Sequence, residues 1–493
     1  MNTTAFVSYI NKTRKLNIPT NYYDRIQTWR EWWEGFHGQF HKYKINAPNG
    51  TVIGREMYTM HMAKRVCESW ASLLLNEQTL IELDDTGSQE WLCGKDNEDG
   101  ILADLDFWDG ANKLVELAFR SGTGAFVMRM DGLQISGNNI VQSKDARILL
   151  EYLPAECILP ITVRHGMIQD VAFMSEIMLR GEKCIYLETH TLEAGGYRIE
   201  NEFFKQDGLD KFTPVEGPAG IPQNIHTHSN VPWFGIIRPN LVVNLPAEDI
   251  LPGMGMAVFA NAIDQLKACD MVYNNFVRDF YLGGKKVFYD RSLITYNADG
   301  NAIVPDDISQ QLFMQLGDGN DLDRSRNPIE EYNPSLRVDE NRQGIQAALD
   351  YLSFACGLGT RHFRFDSGTG QVTATQYTGD RQDMRQSANK HQITIKVGLV
   401  HIIQAILYAG KTFLGASVDP ECGIRIMFDD SYINDSASER ETDRQDVMDG
   451  TMAKWEYRAK WRGESEEEAR RMVADIGTTA DDDILGFTGG GDA

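Results

Sequence analysis

Apolar positions in this chain recur at helical spacing through its middle and at strand spacing before it. Phe259, Ile263, Leu266, Cys269, Tyr273, Phe276 and Phe280 follow at steps of four, three, three, four, three and four, close to the 3.5-residue repeat of a helix packed along its length. Pro252 and Gly253 punctuate the start and Gly283-Gly284 the end. A rod over 251–282 is therefore expected, with about 29 helical residues spanning roughly 43 Å. Between Leu336 and Cys356, Ile345, Ala348, Leu352 and Ala355 share one helical face, and Gly357 and Gly359 end it. That predicts a second helix over 336–357. The intervening 283–335 alternates short apolar runs with Asn297–Gly300 and a polar loop, Gly317–Arg326. The pattern is a helix out, a small module and a helix back.

Ahead of the rod, Trp29, Trp32, Trp33 and Phe36 fall at helical steps within Arg25–Phe40, as do Met62, Val66, Trp70, Leu73 and Leu74 within Arg55–Leu75. Two amphipathic helices follow from this, with a third over 101–121. The period then changes. Ala125–Met130, Arg147–Tyr152 and further short runs to about 215 are separated by Asp131-Gly132, Gly166, Gly181 and Gly195-Gly196, which predicts an antiparallel meander. A Pro-rich exit from Pro214 to Pro252 sets a boundary near 245. The fold class expected is α+β, with 1–250 as one lobe.

Behind the second helix, 358–372 contains Arg361, His362 and Arg364 in a Gly-rich loop. Thr373-Ala-Thr-Gln376 is a capping box that opens a long helix over 373–412, with Gly379 and Gly398 as kink points. A strand, Gly423–Phe428, is expected within 413–432. Ser438-x-x-Glu441 and Ser465-x-x-Glu468 cap helices within 433–477, and the acidic, Gly-rich 478–493 reads as disordered.

Composition narrows the function. Acidic residues outnumber basic ones by 71 to 48, for a net charge of −23, the opposite of the footprint left by tight phosphate binding. The same charge is compatible with no DNA contact at all or with a surface past which DNA slides, and does not choose between them. No run approaches the ~18 apolar residues of a membrane span, and the N-terminus lacks the charged flank and apolar core of a signal peptide, so a cytosolic chain is expected. Seven cysteines, none spaced Cys-x-x-Cys, read as reduced thiols.

Catalytic patterns find little support. Gly122-Thr-Gly124 leads into a strand, whereas a dinucleotide loop needs a helix there, and Gly368-Thr-Gly370 also lacks the third glycine. No phosphate-binding Gly-x-x-x-x-Gly-Lys-Ser/Thr loop, Gly-x-Ser-x-Gly elbow or His-Glu-x-x-His pair occurs. His226 and His228 lie two apart without a third ligand at defined spacing, and read as solvent-facing. Asp104, Asp106 and Asp109, and the cluster Asp318–Asp323 where Leu322 replaces an oxygen ligand, read as solvated acids. No cofactor, metal or enzymatic activity is expected. The basic loop at Arg361, His362 and Arg364 is read either as a solvated surface loop or as a finger toward a phosphate backbone, without sequence preference.

The run Val231-Pro-Trp-Phe-Gly-Ile-Ile-Arg-Pro-Asn240, the block from Pro246 to Phe288, and Tyr58–Glu77 with its Leu75-Asn76-Glu77 corner resemble, in that order along the chain, portal proteins of long-tailed bacteriophages. By eye the resemblance covers about Trp29 to Ile476. It implies a wing (1–250, with 413–432), a stem (251–282 and 336–357), a clip (283–335), a tunnel loop (358–372), the long helix 373–412 and a crown (433–477). It further implies a closed ring of about twelve identical subunits, whose heterologous interface the striped stem helix would supply. Double-stranded DNA would be threaded through that ring at one capsid vertex by the terminase, and later ejected. Head-tail connector (adaptor), major capsid and scaffold proteins would be its other partners. The location implied is the virion, with the host cytoplasm during assembly. The expected rod carries Asp264, Asp270 and Asp279 alongside Lys267 and Arg278, so its charge is mixed. Two other readings remain open: a capsid-associated adaptor or minor head protein without a channel, and a metal-dependent cytosolic enzyme using Asp104–Asp109.

Overall fold

This computed structural model describes residues 3–474, less 47–49, 77, 95–98, 137–138, 142–144, 209, 219–220, 291–294, 297, 300–301, 304–312, 317–328, 366–373, 430–435 and 463. The fold is α+β. The meander is built of Ile158–Arg164, Met167–Leu179, Glu182–Glu193 and Gly196–Gln206, in antiparallel order. Its last three strands are 13, 12 and 11 residues long, longer than the short runs expected. His165-Gly166 and Arg180-Gly181 join them with positive φ at both residues, the two-residue turn whose twist matches its strands.

A second sheet orders Phe234–Ile237, Gly124–Asp131 and Arg147–Pro154. Arg129 on this sheet pairs with Glu188 of the meander, whose other oxygen lies 2.7 Å from His190 Nε2. Burial alone would raise the Glu188 carboxyl, but the Arg129 charge and the His190 contact outweigh it and hold it at about 2. The sheets are thus tied by a buried charge that has partners on both sides.

Among the described residues the longer helices of this lobe are α1 (Thr3–Arg14), α2 (Asn21–Trp33), α3 (Met62–Leu74), α4 (Thr86–Cys93) and α5 (Phe107–Ser121). The pattern did not predict α1 or α4. It also placed the start of α3 at Arg55, whereas Lys42–Asn46 and Val52–Glu56 form an antiparallel hairpin there. The stretch 101–121 divides at Asp106, whose φ is 48°.

The out-and-back pair is α6 (Ile263–Leu282) and α7 (Val338–Ala355), followed by α8 (Ala374–Ala409). The stretch is one continuous helix, and α8 runs unbroken through Gly379 and Gly398. Gly398 serves contact. A Cβ there would lie 2.7 Å from the Ile236 carbonyl oxygen, and one on Gly235 would lie 2.1 Å from the Gly398 carbonyl oxygen. Helix and strand backbones meet at that point. By length and composition Gln382–Leu414 also satisfies the criteria for a membrane span, but 56% of its apolar window is buried inside the protein. Leu399, Ile402, Ile403 and Ile406 are fully buried core residues.

Beyond α8, Ile424–Met427 pairs antiparallel with Leu80–Leu83, returning the chain to its N-terminal lobe. Among the described residues three helices follow where two were expected: α9 (Ser436–Asp449), α10 (Lys454–Arg462) and one over 466–474. Trp461 Nε1 donates to Asp443 at 2.8 Å and joins α10 to α9. Ser465 Oγ accepts from the Glu468 amide at 3.4 Å, at the expected cap. The side chains of Ser438 and Glu441, and the tail 478–493, lie outside the described residues.

Candidate nucleic-acid interface

The rod is shorter than its apolar repeat suggests. The helix α6 has 20 residues, about 30 Å, and 251–259 is not part of it. Phe259 is therefore not a stem-packing residue but a fully buried part of the lobe's core. The reason is competition for backbone partners. Gly255 N donates to Thr123 Oγ1 and Val258 N to the Phe119 carbonyl, both at 2.9 Å, and the Gly255 carbonyl accepts from Tyr22 at 2.8 Å. A Cβ on Gly255 would lie 2.3 Å from the Gly122 carbonyl oxygen. The segment is threaded against the turn after α5, and Gly122-Thr-Gly124 is that turn.

The remaining stripe packs at the near end and opens outward. Leu266 and Cys269 of α6 are buried, as are Ile345, Leu349 and Leu352 of α7. Ile263, Tyr273 and Phe276 are half-buried, and Phe280 is 48% exposed. Asp270 anchors the base of α6: its carboxylate accepts from Met60 N at 2.7 Å and lies 3.0 Å from His41 Nε2. Burial raises this carboxyl despite both contacts. Farther out, Asp279 accepts from Arg337 at 2.6 Å and Asn341 at 2.8 Å, linking the two helices and holding its carboxyl below the usual range. Asp264 pairs with Lys267 at 2.9 Å. Of the three acids on the rod, one is buried and two are paired. At the far end Lys286–Asp290 lies between Phe313–Leu316, parallel to it, and Ile329–Tyr332, antiparallel.

The basic turn is fastened to this hairpin. The Gln346 side chain of α7 donates to the Phe363 carbonyl and accepts from the Phe365 amide, both at 2.9 Å. Phe363 is buried, and the Phe365 ring meets the edge of Phe276 with centroids 6.2 Å apart. Arg361 and Arg364 are exposed, while His362 is half-buried with its ring against Phe363. One glutamine and two phenylalanines thus fix the backbone that carries the two guanidiniums. Gln346 escaped the sequence reading because its side chain bonds backbone, which no residue pattern records. The rest of the loop, including Gly368-Thr-Gly370, lies outside the described residues.

The other candidates are not drawn into a site. Asp109 pairs with Lys113 at 2.6 Å. The rings of His226 and His228 lie 6.2 Å apart. Among the described residues no group of three or more His, Cys, Asp or Glu side chains is arranged to hold a metal ion. The cluster Asp318–Asp323 lies outside them. Clefts of about 1050 and 510 Å³ occur, and neither is lined by Asp104, Asp106 or Asp109. All seven cysteines are unbridged. Compared with known protein families and with curated proteins, the chain matches none.

Proposed function

We propose that this chain is a portal-type subunit: copies close into a ring of about twelve at one capsid vertex, and double-stranded DNA passes through the opening. The observation that carries the reading is the helical hairpin α6/α7, with a small β module at its far end, an outward-opening aromatic stripe, and an exposed Arg361/Arg364 turn clamped to its side. A head-to-tail contact needs two different faces on each copy, and the outer end of the stripe, where Phe280 is 48% exposed, leaves apolar surface for one. With a net charge of −23 per chain, the wall of such a ring repels phosphates and lowers friction, while the arginine turns touch the backbone without reading sequence. The chain then acts as a conduit and not as an enzyme. A terminase drives the DNA in, and connector, capsid and scaffold proteins meet its outer surfaces in the host cytoplasm and the virion. Imaging by negative stain together with native mass measurement tests this. Rings near twelve chain masses with a central opening are expected, and solid monomers or dimers at every concentration would overturn the reading.

A further inference from the structure

The hairpin formed by Lys42–Asn46 and Val52–Glu56 is exposed along nearly its whole length. An isolated two-stranded hairpin is marginal in water and is stabilised by packing one face against something else. The register pairs Tyr43 with Arg55 and Ile45 with Ile53. Opposite residues share a face, so these four side chains form one surface, apolar at Ile45, Ile53 and Tyr43 and cationic at Arg55. Its base is not loose. Just beyond the hairpin, Tyr58 N donates to Asn274 at 3.3 Å and Met60 N to Asp270 at 2.7 Å, and Met57 N bonds the His41 carbonyl at 2.9 Å. The hairpin is therefore carried on α6.

The helix α7 presents the complementary surface. Glu340, Gln343, Ala347, Tyr351 and Phe354 are all exposed and recur at steps of three and four, one stripe of that helix. Tyr351 and Phe354 are 59% and 56% exposed, and Glu340 sits at the opposite end of the stripe. We infer that the hairpin of one copy docks on this α7 stripe of a second copy, its isoleucines against Ala347 and Tyr351 and Arg55 toward Glu340. The occupant is argued from complementarity: one surface is apolar with a cation, the other apolar with an anion, and they sit on different helices of one rod. Two different patches meeting make a heterologous contact, which closes into a ring or runs on as a filament. The inference rests on the head-to-tail association proposed above and names the surfaces that make it.

Full-length chains carrying Ile53→Asp, Arg55→Glu, Glu340→Arg or the pair Arg55→Glu/Glu340→Arg are compared with the unaltered chain by analytical ultracentrifugation and negative stain. Ile53→Asp is expected to raise the concentration for half-assembly at least tenfold. Each charge reversal is expected to raise it several-fold, and the pair to restore it. Restoration excludes misfolding as the cause, because each single change is present in the rescued chain. Rings that form as readily with Ile53→Asp and both single reversals as without them would overturn this inference and leave the ring standing. An unaltered chain that never assembles would overturn both.

Discussion

His391 lies on α8 with its ring against Trp70 and Phe119, at centroid distances of 4.8 and 5.1 Å, and its Nδ1 accepts from Asn240 N at 3.0 Å. Burial, and then the neighbouring Lys390, push its pKa down to about 4. An unfolded histidine titrates near 6.5, so the unfolded chain binds the proton first as pH falls. The stability tied to neutral His391 is thus complete at pH 7 and is lost between about 6.5 and 4, roughly 3 kcal/mol in all. Urea unfolding at pH 7, 5.5 and 4.5 should show that fall. His391→Asn keeps an acceptor for Asn240 and does not titrate. It should be less stable at pH 7 through lost packing, yet show a flatter dependence over that range, and equal slopes would refute the assignment. Nothing in the sequence singles out this histidine: its environment is assembled from residues 70, 119 and 240.

Among the elements, α8 shows how a glycine is misread from sequence. Gly398 looks like a kink because glycine is a poor helix former, yet the cause of its presence is a strand on another layer. Gly398→Ala would place a Cβ within 2.7 Å of both the Ile236 carbonyl oxygen and the Ile237 side chain. The helix must then lift off Phe234–Ile237, at a cost of about 1–3 kcal/mol. Gly344→Ala, where a Cβ would meet nothing within 4 Å, should instead be neutral or stabilising. Thermal unfolding of the two variants separates helix propensity from contact, since propensity alone would stabilise both. The rod teaches the same lesson. Its stripe from Ile263 to Phe280 was legible, but the residues before it are spent on Phe119, Thr123 and Tyr22, partners more than 100 positions away in the chain.

For the whole molecule, the proposed conduit depends on both the charge balance and the Arg361 turn, which in that reading would act on DNA in opposite senses. Replacing Arg361 and Arg364 with alanine removes two exposed cations while leaving the Gln346 clamp and the two phenylalanines in place. Ring assembly should be unchanged, while DNA retained in filled heads should fall, with the difference shrinking as salt rises. Unchanged retention at low salt would remove the turn from the DNA path. Placing the arginines beside α7 required the fold, since Gln346 and Phe363 are 17 residues apart and the turn between them is irregular.

From its periodicities alone the chain determined the α+β class, the meander over 158–206 with its turns, and the out-and-back helices with their stripe, but not that Ala125–Met130 and Arg147–Tyr152 belong to a separate sheet. Burial patterns and turn geometry are local in sequence, and so can be read there. Tertiary structure decided where the rod begins, why Gly398 is a glycine, that 42–56 is an exposed hairpin carried on α6, and which side chain holds the arginine turn. Each of these depends on backbone hydrogen bonds and close approaches between segments distant in the chain, and such partners leave no periodic trace in the order of residues.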